Sequence, residues 1–568
     1  MIDFDDDRQD QRLDQLRLKE EEDVAKILAT RYGVGYVDLT PVPINAEALR
    51  VIDEKTAREN KMAVFNIVGK KIQVAVLSPK NDSTMAVIRD LTEKGFKSTV
   101  YMVSMRSLEK VWKQYADLSF SENVKAGSLD ISSEEIDTLL KDIRDIDDVK
   151  KLVDDLVVVK KTTRVSKILE VILAGAVAVN ASDVHLEPEE AYVRLRYRLD
   201  GVLIETLRFD RDLYFLILSR IKLLSGMKLN VKTEAQDGRF SVKVKGFDIE
   251  IRVSILPEAY SETVVMRLLN PKSIAVPLED LGIPKKLFDI FTREISRPKG
   301  LILNTGPTGS GKTTTLYAFL KKIHTPDIKI ITIEDPVEYH LPGVVQTQTN
   351  AEKGYTFLEG LRSIMRQDPD VIMVGEIRDN ETADIAINSA LTGHLVFSTI
   401  HTNNAAGTFP RLIELGVNPR IISSSLSLAI AQRLARKLCE SCKEEVVLTG
   451  KDKDYIEKVL NSIVDKTQME GVQKEKMWKA HEKGCPKCNY TGYKGRIAIY
   501  EAIVADESIE KILDTNPTER EIKRVASAQG IMDMRQDGII KILAGITDVA
   551  ELGRVIDLDE EFIENSIN

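Results

Sequence analysis

From Leu301 the chain runs through a short apolar stretch, Leu301-Ile302-Leu303-Asn304, into Gly306-Pro307-Thr308-Gly309-Ser310-Gly311-Lys312-Thr313. Beyond it Leu316, Phe319, Leu320 and Ile323 recur at helical spacing. The glycine-rich stretch fits G-x-x-x-x-G-K-S/T, and the strand before it and helix after it turn a spelling into a physical site. A strand feeding a helix across such a loop commits this part of the chain to an α/β fold. The glycines let backbone N–H groups approach phosphates, and the new helix adds the positive end of its dipole. Gly306 to Thr313, with Thr314 behind them, are therefore the expected binders of ATP, Lys312 reaching the β- and γ-phosphates and Thr313 ligating Mg2+.

Three further apolar segments end in polar residues. Ile328 to Ile333 runs into Glu334-Asp335-Pro336-Val337-Glu338, Val371 to Val374 into Gly375-Glu376, and Leu395 to Ser398 into Thr399-Ile400-His401. Each is mostly apolar rather than alternating, as in strands covered on both faces. In a parallel α/β sheet, ligands gather at the carboxyl ends of the strands. Glu376 is thus expected to hold Mg2+ through water, while Glu338 or Glu334 orients the attacking water. An arbitrary glutamate is more often a solvated loop acid, but a place beside a phosphate loop reverses that weighting. His401 either senses the γ-phosphate or serves the scaffold, and His394 reads as scaffold.

At 568 residues the chain is too long for one core, and about three or four domains are expected. Residues 1–118 read as a small N-terminal α/β domain, with a charged helical start from Asp10 to Tyr32 and strands at Ala63 to Phe65 and Ile72 to Val76 around a Val68-Gly69 turn. Residues 119–163 are acidic and lysine-rich and read as a flexible tether with marginal helices rather than core. Residues 164–272 read as an α+β domain. It opens with a helix from Ile168 to Ala181, followed by the alternating strand Val193 to Leu199 with Arg194, Arg196 and Arg198 on one face, and an Asp200-Gly201 hairpin turn. A helix from Asp212 to Leu229 follows, and Asp237-Gly238 is expected to open a second hairpin: Arg239 to Val244, a Lys245-Gly246 turn, then Phe247 to Leu256. Arg239 and Arg252 fall on polar strand faces, so neither has to be buried in its own core. Each is either a solvated sheet arginine or a guanidinium for the transferring phosphoryl group. Residues 273–568 complete the nucleotide domain, with an insertion at 437–490 and a helical part at 501–568.

A net charge of −9 argues against constitutive nucleic-acid binding, which depends on clustered Lys and Arg. No apolar run approaches the ~18–20 residues of a membrane span, and no basic n-region with an apolar h-region opens the chain. A cytoplasmic protein is expected. All four cysteines lie in two C-x-x-C pairs, Cys439/Cys442 and Cys485/Cys488. In a chain of that compartment two such turns offer four thiolates to one tetrahedral, structural Zn2+ in preference to disulfides, with His481 a distant spare.

Taken together, these residues resemble the PilB/GspE family of hexameric ATPases, extension type, which work in type IV pilus assembly and type II secretion. The resemblance covers nearly everything from Tyr36 to Val555. It rests on Ser182-Asp183-Val184-His185-Leu186-Glu187-Pro188, Gln236-Asp237-Gly238-Arg239, the phosphate loop and Thr332 through Glu338. It continues through Arg366 to Asp370, Glu376 to Asp379, Leu391 to His394, His401 to Asn403, the cysteine pairs, Gly492 to Arg496 and Tyr500-Glu501. It implies a RecA-like P-loop core, a preceding PAS-like domain that docks on the next subunit's core, Glu338 as catalytic base, Glu376 closing an atypical Walker B, and a histidine box from Thr392 to Asn403. It implies a homohexamer on a polytopic inner-membrane platform protein, and it places Arg239 ahead of Arg252 as an arginine finger. Longer relatives begin with a repeated Leu-rich segment that can bind cyclic di-GMP, and no such pattern precedes Ile27. The expected fold is α/β: a RecA-like P-loop core, a PAS-like α+β domain before it, a small N-terminal α/β domain and a tetracysteine zinc insertion. The leading expectation is a motor for pilin assembly, beside a type II secretion or competence pseudopilus motor. A hexameric nucleic-acid translocase and a nucleotide-gated adaptor are the readings from other classes.

Overall fold

The computed structural model describes residues 21–40, 42, 44, 46–49, 51–68, 70–115, 133–158, 164–270 and 276–558. The start of the expected first helix, Asp10 to Glu20, and the tether residues 119–132 and 159–163 lie outside them. Residues 1–130 and 131–568 form two compact units.

In the first unit a four-stranded sheet runs in the order Gly35–Tyr36, Lys97–Met102, Lys71–Val76, Met62–Val68. The last two strands pair antiparallel, extending the expected hairpin at both ends. Helix Met105–Lys113 starts at Ser104, whose hydroxyl accepts from Ser107 N–H, and it buries Leu108, Val111 and Trp112. The indole N–H of Trp112 donates to the Met62 carbonyl at 3.1 Å, which locks the helix to the sheet.

The second unit begins with two helices, Ser133–Asp142 and Ile146–Val158. This corrects the expectation of a tether here. Ile136, Ile143, Ile146, Val149 and Val153 are buried, and both helices pack on helix Arg164–Ala178. Apolar residues at 146, 149 and 153 form one helical stripe beneath a charged shell that dominates the composition.

Helices Arg164–Ala178 and Arg211–Leu224 accompany a six-stranded antiparallel sheet, ordered Val202–Phe209, Val193–Leu199, Asp183–Pro188, Glu262–Leu269, Phe247–Pro257, Gln236–Val244. The Asp200-Gly201 turn forms as expected, with both residues at positive φ. The expected Lys245-Gly246 turn forms as well, both residues at positive φ, and the strand before it starts earlier than expected, so that Asp237 and Gly238 sit inside strand Gln236–Val244, paired with Ser254 and Val253. Gly238 is required there by close approach, since a Cβ would lie 2.4 Å from the Ser225 carbonyl oxygen.

The nucleotide domain is built on a seven-stranded sheet in the order Val345–Gln348, Ile330–Glu334, Val371–Val374, Leu395–Ile400, Gly300–Thr305, Leu426–Leu438, Tyr493–Val504. All neighbours are parallel except the last pair. The four strands that carry the expected site are buried throughout, which explains their apolar rather than alternating sequences. Strand Tyr493–Val504 runs past residue 501, so the helical part begins at helix Glu507–Leu513. Within the insertion, Ile456, Val459 and Leu460 of helix Gly450–Ser462 share one core with Ile539, Ile542 and Leu552. The insertion is therefore continuous with the body of the domain.

Candidate nucleotide site and tetracysteine centre

The loop between strand Gly300–Thr305 and helix Lys312–Ile323 carries Gly306, Gly309 and Gly311 at φ 146°, 79° and 90°. A Cβ at Gly306 would lie 2.5 Å from the Gln432 carbonyl oxygen, and one at Gly311 would lie 2.8 Å from Gln432 Nε2. Glycine is thus fixed by the neighbouring strand as well as by backbone angle. Gln432 is buried, and its Oε1 accepts from Asn304 Nδ2 at 3.1 Å and Thr315 Oγ1 at 2.8 Å, tying strand, loop and helix together. Lys312 Nζ donates to the carbonyls of Gly306 at 2.7 Å and Pro307 at 3.0 Å. Burial lowers the Lys312 pKa, Glu376 opposes that shift, and Arg433 adds to it. Ser310 Oγ is buried without a hydrogen-bond partner, so the loop holds unused polar capacity where an anion fits.

An open cleft of about 950 Å³ runs from this loop past the other strand ends and is lined by Glu334, Glu338, Glu376, His401 and Arg433. Glu376 follows strand Val371–Val374, forms an ion pair with Arg378, and lies 3.3 Å from His401 Nε2. Thr313 lines the same cleft, so a hydroxyl and a carboxylate are available for Mg2+. Glu334 is committed elsewhere: its carboxylate accepts from the Tyr317 hydroxyl, from Thr332 Oγ1 at 2.5 Å and from Gln346 Nε2 at 3.1 Å. Burial raises its pKa against those hydrogen bonds. Glu338 stands more open and faces Arg252, whose Nη1 is 3.6 Å from Glu338 Oε2 and whose Nη2 donates to the Val337 carbonyl at 3.1 Å.

Arg252 and Arg239 are direct cross-strand partners. Only Arg252 is brought to the cleft carboxylate. The Arg239 side chain is 74% exposed and reaches Glu250 at 3.6 Å. His394 holds the Ser389 carbonyl through Nδ1 at 2.9 Å, the scaffold role expected for it. Sequence reasoning missed Arg433, which lines the cleft from strand Leu426–Leu438 and donates to the Asn403 carbonyl at 2.6 Å. Its signal was the first charge in a strand whose opening residues, Leu426 to Ala431, are apolar or small. Arg198 and Arg267 also line the cleft, both paired with Asp183, at 3.3 and 3.0 Å.

The four cysteine sulfurs lie within 4.8 Å of one another. Cys439 and Cys485 are 3.8 Å apart, Cys442 and Cys488 3.9 Å, and Cys485 and Cys488 3.8 Å. Four thiolates at ~2.3 Å from a tetrahedral ion stand ~3.8 Å apart, whereas disulfide sulfurs stand at ~2.05 Å. The donor set fits Zn2+. His481 stays outside it, 3.9 Å from Glu444. Among the described residues no helix is long and apolar enough to cross a membrane.

Residues 159–554 match the family described as Type II/IV secretion system protein, and residues 32–122 match the MshEN domain. The chain is 35% identical over 538 residues to the Type IV pilus assembly ATPase PilB of Myxococcus xanthus (strain DK1622), covering 94% of this chain and 91% of that protein. It is 38% identical over 517 residues to the Type II secretion system protein E of Dickeya dadantii (strain 3937), covering 90% and 98%. The X-ray structure of the Yersinia pseudotuberculosis ATPase DotB shares the fold, with a TM-score of 0.50 at 19% identity over 69% of this chain and 93% of that one. The fold is thus α/β with the RecA-like core of the secretion ATPases. Motifs, strand order and relatives agree: the chain belongs to the Type II/IV secretion system protein family.

Proposed function

We propose that the chain is a Mg2+-dependent ATPase that drives type IV pilus assembly, working as a homohexamer docked on a platform protein at the inner face of the cytoplasmic membrane. The observation that carries the reading is that Lys312, Thr313, Glu338 and Glu376 line one cleft. Lys312 exchanges the loop carbonyls for the β- and γ-phosphates as the substrate enters. Thr313 and Glu376 would hold Mg2+, which neutralises phosphate charge when bound. Glu338 accepts a proton from the attacking water as its oxygen bonds to the γ-phosphorus and the bond to ADP breaks, leaving ADP and phosphate. Arg252 is the guanidinium nearest that base, and His401 steadies Glu376. In this reading residues 1–118, 164–272 and 273–568 are the N-terminal, PAS-like and ATPase domains, helices 133–158 belong with the second, and Cys439, Cys442, Cys485 and Cys488 hold a structural Zn2+.

Similarity to the Dickeya dadantii protein supports a second reading in the same class, a type II secretion motor. Deleting the gene separates the two: loss of surface pili supports the first, loss of exported enzymes with pili intact supports the second. The chemistry is tested by two substitutions. Lys312→Ala is expected to abolish ATP binding. Glu338→Gln is expected to keep binding while turnover falls about 10²–10⁴-fold, the scale of a lost general base. Undiminished turnover in Glu338→Gln removes the base assignment.

A further inference from the structure

Strand Tyr493–Val504 places successive side chains on opposite faces of the sheet. Tyr500 packs against Phe291 and lies 3.2 Å from Thr315 Oγ1, on the side of the phosphate-loop helix. Glu501 points the other way. It is 9% exposed, and its two oxygens accept from backbone donors of two different segments: Oε1 from Ala405 N–H at 2.7 Å, and Oε2 from Met534 N–H at 3.3 Å. Met534 opens helix Met534–Leu543, so its N–H is one of the donors a helix start leaves unpaired. No Lys or Arg among the described residues lies within ion-pair distance of this carboxylate, although Lys523 and Arg433 attract it from farther away; burial raises its pKa against the pull of Lys523. A buried acid with no cation in direct contact relies on its hydrogen bonds to offset its desolvation.

Ala405 lies in the short connection between strand Leu395–Ile400 and helix Thr408–Glu414, and that connection also carries His401. At the near end of the loop Thr402 N–H donates to Thr305 Oγ1 at 2.7 Å. At the far end Asn404 Nδ2 donates to Glu519 at 2.6 Å. Directly after Asn404, the Ala405 N–H donates to the Glu501 carboxylate at 2.7 Å. The loop begins at His401, whose Nε2 lies 3.3 Å from Glu376.

We propose that Glu501 is a positioning residue for ATP turnover: by joining Ala405 N–H to Met534 N–H it holds the histidine loop so that His401 stays against Glu376, and it couples that loop to the C-terminal helices. The inference rests on the ATPase reading above. A carboxylate is needed because both donors require an acceptor; a glutamine offers one oxygen and turns an NH2 group toward the other N–H.

The test is steady-state ATP hydrolysis by the full-length chain and by Glu501→Gln, with hydrogen exchange followed in peptides covering 401–407 and 306–313. Failure of the unmodified chain to hydrolyse ATP counts against the ATPase reading itself. With that activity in place, Glu501→Gln is expected to lower kcat roughly 10-fold with KM within about twofold, as misplacement without lost binding does. Exchange is expected to quicken in 401–407 and to stay unchanged in 306–313. Unchanged kcat, or exchange rising equally in both peptides, overturns the proposal and leaves Glu501 a general scaffold residue. If Glu501→Gln does not fold, Glu501→Asp is read by the same measurements; it keeps both oxygens but withdraws them by one methylene, and an intermediate kcat is expected.

Discussion

A carboxylate that takes a proton from water needs an oxygen that is not already accepting, and on that ground Glu338 and Glu334 part company although they stand four positions apart. Both oxygens of Glu334 are engaged, by Tyr317 on one side and by Thr332 and Gln346 on the other, whereas Glu338 meets only Arg252 at 3.6 Å. Glu334 therefore organises strand Ile330–Glu334 and helix Lys312–Ile323 around a buried polar node, and Glu338 is left to act. The same comparison separates the arginines, since Arg252 faces Glu338 and Arg239 faces solvent. Arg252→Ala is expected to cut turnover by about 10³-fold, the scale of a lost arginine finger, with nucleotide affinity within several-fold. Arg239→Ala is expected to stay within about threefold of the unmodified chain, as exposed pairs generally do. Phosphate release and fluorescent-nucleotide titration on the two variants check both, and equal losses would sink the distinction.

At the scale of elements, the insertion between the cysteine pairs is tied to the domain twice. Its thiolates converge on one point, and its helix Gly450–Ser462 shares a core with helix Met534–Leu543 and helix Val549–Val555. Metal analysis under reducing conditions is expected to find a single zinc per chain. Cys488→Ser is expected to lose it and to lower Tm by about 5 °C or more, because the ligand both closes the cluster and is itself buried. ATP affinity is expected to remain within about threefold, since Lys312 and Ser310 do not touch the cluster. A melt unmoved by the substitution, or stoichiometric metal retained by it, contradicts a structural zinc. The cysteine spacing announced this element; the burial of Ile456 and Leu460 did not show in it, because a 13-residue helix with six charged residues in its first nine positions looks like surface until its partner face is known.

For the whole molecule, the division near residue 130 leaves each unit with buried apolar clusters made of its own side chains. A fragment spanning 131–568 is accordingly expected to fold cooperatively and to bind ATP within about threefold of the full chain. Calorimetry and nucleotide titration test this, and an aggregated or non-binding fragment would contradict it. How much was legible beforehand follows from the range over which each determinant acts. The phosphate loop, the strand ends at Glu338, Glu376 and His401, the Asp200-Gly201 turn and the cysteine pairs are set by residues close together in the chain, where backbone angle, helix start and ligand spacing speak directly. The sequence by itself therefore determined the α/β core, the family and the candidate site. Only the tertiary structure decided why position 238 must be glycine, because that requirement comes from the Ser225 carbonyl. It likewise decided that residues 133–158 pack as helices, that Arg252 rather than Arg239 meets Glu338, and that Glu501 joins Ala405 to Met534. Each of those outcomes depends on a partner at least a dozen residues away, and nothing local in the chain encodes which partner will arrive.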